Sequence, residues 1–262
     1  MRRLIPLSAL LWAGLPAAAL EPGASASEIR SCVEANMPQE SSVQAVVFRT
    51  RDRMGAITEA RASIYWRKFE DGLSRVLIRF AAPPDLRDAS VLLLERSSSE
   101  RDIFMYLPAL EKVKRITTHM ISGSMFGTDF SYEDFEHFVD YAGKATATRL
   151  DDAVIDGEPA FVLESRPGEK EASGYRRIVE YVDPKTCVRL KTDLYEAGDR
   201  LRKVASSSRA AIQREKYLWY APTLLLRDLR DETETELSIE KVEVAVEIPK
   251  KMFSQAELTR GH

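Results

Sequence analysis

The stretch that decides the fold spans residues 103–135 and reads IFMYLPALEKVKRITTHMISGSMFGTDFSYEDF. Its first part alternates, so Ile103, Met105 and Leu107 point to one side of a predicted strand, and Pro108 then turns the chain. A strand with one apolar face needs a partner layer to cover that face. The rest of the stretch therefore has to be examined for a covering segment.

The second half of the stretch begins as a loop rich in Gly, Ser, Met and Phe, which we call the flap. It carries Met125, Phe126 and Phe130, and the glycines at 123 and 127 let the chain approach another surface or move. Exposed apolar groups lower solubility unless they cover something apolar. Two interpretations stay open: a mobile flap over a hydrophobic cavity, or a loop that plugs the end of its own core.

A short helix is predicted directly after the flap. Ser131 and the acidic residues that follow it resemble a capping box, which marks a helix start. The apolar residues of this helix share one face: Tyr132, Phe135, Phe138 and Val139. A compact basic cluster lies before the flap and consists of Lys112, Lys114 and Arg115.

Working outward, most of the remaining chain reads as strands separated by turn signals. A short helix is expected over Ser27–Met37, with Ser27 as its N-cap, and a hairpin is expected through Asp183–Thr186. The apolar alternation in the last strand slips at Glu240–Lys241, which indicates a β-bulge. Strands do not alternate with helices, so no parallel sheet is predicted. The fold class is α+β: one large curved antiparallel sheet of about eleven strands, with a few short helices against its concave side.

The N-terminus has the pattern of a signal peptide over residues 1–19. Two arginines precede an apolar run over residues 4–15, and three alanines at 17–19 suit a signal peptidase. A second small-residue site makes the cut uncertain up to residue 26, and the remaining domain is residues 27–262. The apolar run is shorter than the ~20 residues of a membrane span, which disfavours an uncleaved anchor. We therefore expect export to the periplasm.

The two cysteines and the overall charge fit that expectation. Cys32 and Cys187 form an even pair in a compartment that favours disulfides, so a bridge from the N-terminal helix to the middle of the sheet is predicted. Two unpaired buried thiols are the alternative. A formal net charge of −3, with dispersed Lys and Arg, does not suggest a nucleic-acid-binding protein.

Catalytic signatures are weak throughout the sequence. His119 and His137 lack the spacing of metal ligands, and Gly123–Gly127 lacks the arrangement of a serine-hydrolase elbow. There is no Walker A motif and no G-x-G-x-x-G. We therefore predict no enzyme activity, no catalytic residue, no metal site and no cofactor.

The string YLPALEKVKRI followed by SGSMFGTDFSYEDF resembles the outer-membrane lipoprotein-sorting proteins, LolA/LolB-like in fold. More narrowly, it is similar to the subgroup often found beside RND-type or MMPL-type exporters. RFAAPPDLRDASVLLLE and YVDPKTCVRLKTDLYE agree with this resemblance. The resemblance implies an unclosed β-barrel of about eleven strands and a helical lid over a hydrophobic concavity.

The same resemblance implies a non-catalytic periplasmic carrier of a lipid or of lipoprotein acyl chains, in transport to the outer membrane and in peripheral contact with membranes. An accessory subunit of an RND/MMPL-type exporter, acting through protein contacts, is the alternative. Alternation gives the candidate lining of the cavity: Phe48, Ile64, Trp66, Ile78, Phe80, Leu92, Leu94, Met105 and Leu107, with Met125, Phe126 and Phe130 on the flap. A register slip of one residue would reverse any of these assignments.

Overall fold

The structure is a computed structural model and describes residues 20–97, 100–139, 147–168 and 173–259. The predicted signal peptide, residues 1–19, lies outside the described residues. The described part of the chain contains the helices α1 (Ala26–Ala35), α2 (Tyr132–Val139) and α3 (Gln255–Leu258). None of them is long and apolar enough to cross a bilayer.

The strands fall into two groups along the chain. The first group is β1 (Ser41–Arg51), β2 (Ile57–Lys68), β3 (Ser74–Ala82), β4 (Ser90–Glu95), β5 (Arg101–Leu107) and β6 (Lys112–Ile116). The second group is β7 (Ala147–Ile155), β8 (Glu158–Ser165), β9 (Arg177–Val182), β10 (Arg189–Glu196), β11 (Arg200–Ser206), β12 (Gln213–Glu215), β13 (Leu218–Tyr220), β14 (Thr223–Asp228) and β15 (Thr233–Val244).

Thirteen of these strands form one antiparallel sheet in the order β6-β5-β4-β3-β2-β1-β15-β14-β11-β10-β9-β8-β7, and β12 pairs only with β13. The last strand, β15, lies between β1 and β14 and so joins the two groups. Strands β6 and β7 are the two free edges, so the barrel is unclosed. The antiparallel α+β prediction is confirmed, with thirteen strands in the sheet where about eleven were expected.

The sheet is curved, because residues from both of its arms meet in one buried cluster. Ile103 of β5 and Ile116 of β6 share that cluster with Ile178 of β9 and Leu194 of β10. We call the face that carries this cluster the concave face. The expected bulge is confirmed, since Ala45 pairs with Lys241 and Val46 with Ile239, which leaves Glu240 as the extra residue.

The opposite, convex face is covered by the C-terminal segment. Ile248, Phe253 and Leu258 pack there against Leu77 of β3 and Phe104 of β5. Burial on both faces explains why consecutive positions are apolar in the middle of β3 (residues 76–78) and of β4 (residues 91–94). Alternation therefore carries little information about orientation in these strands.

Helix α1 packs on the concave side of β8 and β9 and is fixed there by the predicted disulfide. The Cα atoms of Cys32 and Cys187 are 5.8 Å apart in that bridge. Its position differs from the expectation: Cys187 follows the β9–β10 turn near one end of the sheet order, not the middle. The expected N-cap was also wrong, because Ser25 and Glu28, not Ser27, form the capping box of α1.

Candidate functional site

The flap occupies residues 117–131, between β6 and α2, and folds back on itself at its tip. The Met125 amide donates to the Phe130 carbonyl at 2.7 Å, and Ser124 forms a β-bridge with Ser131. Phe126 and Gly127 both have positive φ values, 49° and 81°, which close the turn. Glycine adopts this region without strain, and Phe126 is held in it by its contacts.

Aromatic rings join the flap to the concave face of the sheet. The Phe126 ring meets Phe80 edge-on with centroids 5.1 Å apart, and the Phe130 ring meets Phe48 in the same way at 5.8 Å. Phe48 and Phe80 stack on each other at 5.8 Å. Met125 is 0% and Phe130 1% exposed. The flap therefore seals the concave face by contributing side chains to the main core.

Ten of the twelve candidate residues lie in this one cluster on the concave face. They are Phe48, Ile64, Trp66, Ile78, Phe80, Met105, Leu107, Met125, Phe126 and Phe130. Their shared location was inferred from alternation and from the composition of the flap. Their role in binding a ligand stays a prediction.

Leu92 and Leu94 were assigned to the wrong face. Both belong to the convex cluster under the C-terminal segment, while their neighbours Val91 and Leu93 face the concave side. The register supports this, because Leu92 pairs with Leu77, another convex residue. The error arose because β4 is apolar on both faces, so its sequence does not fix the phase.

In this structure the flap plugs the core of its own chain, as the second interpretation expects, and the mobility of the flap stays a prediction. The space over the sheet is occupied by the protein's own side chains, with Tyr132 and Phe135 of α2 completing the cover. The flap is nevertheless separate from the sheet, since only the Ser124–Ser131 bridge lies within it and no ladder joins it to a sheet strand among the described residues. Its attachment depends on side chains, and those include buried polar groups.

Asp129 fastens the tip of the flap to the sheet. Its amide donates to Thr235 Oγ1 at 2.9 Å, and Thr235 Oγ1 donates to its carboxylate at 2.7 Å. Thr233 Oγ1 donates to the other carboxylate oxygen. Burial raises the pKa of Asp129, although the bonds from the two threonines oppose that rise.

Asp134 fastens α2 to the sheet and has no exposed surface. Lys203 Nζ of β11 donates to its Oδ2 at 2.6 Å, and the Tyr175 hydroxyl donates to its Oδ1 at 2.5 Å. The Ser131 amide also donates to Oδ2 at 2.8 Å, as the predicted capping box requires. Burial and the neighbouring Asp134 charge raise the pKa of Tyr175 well above its usual value.

A third polar contact holds the C-terminal end of α2. Glu180 of β9 lies 3.5 Å from His137 of α2, with Arg189 also at 3.5 Å and Arg30 of α1 at 3.8 Å. Burial opposes the charge on Glu180, but the nearby His137 and the two arginines outweigh it and lower its pKa to about 2. Glu180 is therefore a buried anion at neutral pH.

Sequence reasoning missed these polar groups, although a signal was present. Glu180 takes the inward position between Ile178 and Val182, where alternation calls for an apolar residue. Lys203 takes the equivalent position in β11, opposite Leu194 of β10. A charged residue in the apolar phase of a buried strand is a signal for a specific partner.

The predicted basic cluster is exposed on edge strand β6. Arg115 pairs with Asp102 of β5, while Lys112 and Lys114 make no ion pair among the described residues. Within the same residues there is no group of three or more His, Cys, Asp or Glu side chains placed to hold a metal ion.

The sequence of this chain matches a known protein family over most of its length. A family model described as an uncharacterized-protein family matches residues 72–260, more than half of the chain. The chain belongs to this family. Its matched region starts in the β2–β3 turn and ends after α3. It therefore includes the flap and every residue of the three polar contacts except Arg30. No curated protein matches the chain.

Solved structures show that the family member described here has the LolA-like fold. A domain assigned to outer membrane lipoprotein sorting, from Vibrio parahaemolyticus, matches with a TM-score of 0.80 and 24% identity, over 89% of this chain and 97% of that one. A DUF1329 family protein from Desulfovibrio piger gives 0.81 and 23%, over 88% and 95%. A LolA superfamily protein from Nitrosomonas europaea gives 0.72 and 18%, over 90% and 100%.

Proposed function

We propose that this protein is a non-catalytic periplasmic carrier of an amphiphile with acyl chains, a lipid or a lipoprotein. The observation that carries the proposal is the position of the flap. Met125, Phe126 and Phe130 come from a segment outside the sheet and fill its concave face in the same cluster as Phe48 and Phe80. In the carrier, acyl chains take the place of these side chains when the flap opens.

The free energy gained by burying an acyl chain is comparable to the free energy gained by burying the side chains that cover the concave face, as reversible binding requires. Burying an acyl chain of roughly 16 carbons gains about 12 kcal/mol, at ~0.8 kcal/mol for each methylene. Burying Met125, Phe126, Phe130 and Phe135 gains roughly 1.5–3 kcal/mol for each side chain. Because the flap competes for the same surface, the ligand binds with the difference between these energies and can be released.

The position of the exposed apolar side chains supports contact with a membrane during transfer. Three connections expose apolar side chains. The β1–β2 connection carries Met54, 87% exposed, and is followed by Ile57 at the start of β2, 55% exposed. Leu110 between β5 and β6 is 44% exposed, and Leu229 between β14 and β15 is 47% exposed. The antiparallel order places these three connections at the same end of the sheet. Asp129 fastens the flap at this end too, since its partner Thr235 pairs with Thr50 beside the β1–β2 connection.

The disulfide supports a periplasmic location, because such bridges persist in oxidising compartments. Export through residues 1–19 belongs to the same proposal. The alternative, an accessory subunit of an RND/MMPL-type exporter, is favoured by one observation. Edge strand β7 exposes Leu150 at an open groove of about 530 Å³ on the convex face. Such a groove suits contact with another protein.

A clamped flap tests the carrier proposal directly. The side chains of Asp129 and Thr235 touch, so the double variant Asp129→Cys/Thr235→Cys is designed to form a disulfide that holds the flap shut. We expect the wild-type protein, purified from the periplasm, to show co-purified lipid by native mass spectrometry, and the cross-linked variant to show none. Thr235→Cys alone cannot cross-link and serves as the control.

Equal lipid occupancy in the clamped variant and its control contradicts a carrier whose flap opens. A second outcome supports the accessory-subunit alternative. None of the three proteins then contains an apolar ligand, and the wild type captures an RND- or MMPL-type exporter that Leu150→Asp no longer captures.

A further inference from the structure

In the described part of the chain, the concave face contains the buried ammonium group of Lys203, whose partner Asp134 belongs to α2, the helix that follows the flap. Lys203 is 5% exposed and shares the concave face with Ala205 of its own strand. Its Nζ donates to Asp134 Oδ2 at 2.6 Å and to the Asp129 carbonyl at 2.7 Å. Both acceptors move away when the flap and α2 lift.

Opening the flap therefore leaves a cation on an apolar surface. Three carboxylates then move away from Lys203. Asp134 forms an ion pair with Lys203, and Asp129 and Glu133 interact electrostatically with it. An unpaired charge inside a protein is strongly destabilising. An open state that binds only apolar chains leaves this charge without a counterion.

The remaining acid near Lys203 is already engaged. Asp228 lies directly opposite Lys203 in the β11–β14 pair. It forms an ion pair with Arg202 and accepts hydrogen bonds from the amides of Arg230 and Asp231, both at 3.0 Å. Arg202 balances Asp228, and its second partner, Asp231, is 55% exposed and also pairs with Arg230. Lys203 is therefore the buried charge that the open site leaves without a partner.

We propose that the ligand carries an anionic headgroup, a carboxylate or a phosphate, which binds Lys203 and Tyr175 where the Asp134 carboxylate lies in the closed chain. This inference rests on the proposed carrier function and defines its ligand class. Tyr175 stays with the sheet because the Arg176 amide donates to the Tyr195 carbonyl at 2.8 Å. The ammonium group and the phenol are the two donors that an incoming anion finds.

In this account, the flap and α2 together imitate an anionic amphiphile. Met125 and Phe130 take the place of the acyl chains, and Asp134 takes the place of the headgroup. Charge-assisted hydrogen bonds are roughly twice as strong as neutral ones. The headgroup site therefore selects anionic ligands over neutral ligands with the same chains.

Paired ligands with one chain length test the selection. The mature protein is titrated at pH 8 with palmitate and with 1-hexadecanol, and binding is followed by displacement of a fluorescent fatty-acid probe. Dipalmitoylphosphatidylglycerol and dipalmitoylglycerol form a second pair that separates a phosphate source from a carboxylate source. We expect the preferred anion to bind at least about tenfold more tightly than its neutral partner, since hydrogen bonds to a charged group are the stronger ones.

The variant Lys203→Met is expected to abolish this preference while keeping the affinity for the neutral ligand. Lys191→Met is the matched control, because Lys191 pairs with Asp193 away from the flap, and it should keep the preference. Since Lys203→Met leaves Asp134 without a cation, the double variant Lys203→Met/Asp134→Asn keeps the test valid if the single variant does not fold. It should fold and also show no preference.

The outcomes separate this inference from the proposed function. If anionic and neutral ligands bind equally to the wild type, or if Lys203→Met keeps the preference, the headgroup site is wrong and the carrier function stands. If no ligand of either pair binds, both are wrong.

Discussion

The ring of Phe126 in the flap and the ring of Phe80 in β3 meet edge-on, with centroids 5.1 Å apart. Residues 46 positions apart in sequence thus form the contact that closes the concave face. Phe126 has a positive φ of 49°, a conformation that bulky residues rarely adopt. The ring contact helps to hold this strained backbone, and under the proposed carrier function it is the contact that a ligand has to replace.

Removing this ring should favour the open flap. In Phe126→Ala, we expect faster hydrogen exchange in residues 117–131 and tighter ligand binding, because the flap competes less well for the concave face. The control is Phe69→Ala, which removes a similar edge-on contact with Phe253 at 5.7 Å on the convex side. It should lower the melting temperature without changing ligand affinity. Weaker binding in Phe126→Ala would show that the ring contacts the ligand instead of competing with it.

The disulfide should stabilise the protein substantially. Cys32 and Cys187 are 155 residues apart, and closing a loop of that length contributes about 5 kcal/mol in the chain-entropy model. We expect the double variant Cys32→Ser/Cys187→Ser to melt at a lower temperature, with the fastest exchange in α1. Two titratable thiols in the untreated protein, together with an unchanged melting temperature on reduction, would rule out the bridge.

Glu180 should make stability depend on pH in an acidic window. Its pKa is about 2 in the folded chain and 4.5 ordinarily, so it stabilises the fold above pH 4.5. This contribution is lost as the pH falls from about 4.5 towards 2, because the carboxyl then takes up a proton in the unfolded state while it is still ionised in the folded state. We expect Glu180→Gln to lower the free energy of unfolding at pH 7, with the difference from the wild type shrinking over that window.

The control for this variant is Glu164→Gln, which changes a more exposed carboxyl on the neighbouring strand β8. Its difference from the wild type should be small at every pH. A Glu180→Gln difference that stays constant between pH 7 and pH 3 would mean that the residue is not ionised against His137 and the arginines.

The capping box of α1 favours one of the two cut sites expected for the predicted signal peptide, the one after Ala19. The Ser25 amide donates to Glu28 Oε2 at 2.7 Å, and the Leu20 amide donates to the Pro184 carbonyl at 3.0 Å. A cut after Ala19 keeps both bonds, while a cut at 26 removes them. We expect intact-mass analysis of the exported protein to give Leu20 as its first residue.

Serine substitutions check the cap itself. Ser25→Ala should lower the free energy of unfolding by about 1 kcal/mol, the usual effect of losing an N-cap. Ser27→Ala should have a smaller effect, because Ser27 is inside α1. The reverse order would restore Ser27 as the cap.

The apolar end of the sheet should bind membranes. We expect Met54→Asp to reduce sedimentation of the protein with phosphatidylglycerol/phosphatidylethanolamine vesicles, because a charge at a side chain that is 87% exposed opposes insertion. Val154→Asp is the matched control, since Val154 is 71% exposed beside the β7–β8 turn at the other end. Equal loss of sedimentation in both variants would exclude an oriented contact.

Much of the fold could be predicted because its signals are local. The bulge at Glu240 appears as a phase slip in the alternation, and the cap at Ser131 appears as a serine followed by acidic residues. Two strands carry a weaker local signal. β7 is interrupted by two aspartates, and β11 carries Lys203 where an apolar residue is expected.

The antiparallel sheet, the flap and the apolar residues of the flap could be predicted from local patterns, because turns, caps and alternation depend on neighbouring residues. The orientation of Leu92 towards the convex face and the contact of Lys203 with Asp134 could not be predicted in this way. The first depends on the C-terminal segment that covers the back of β4. The second joins residues 69 positions apart, and a contact between distant charges follows from the path of the chain, not from the pattern around either residue.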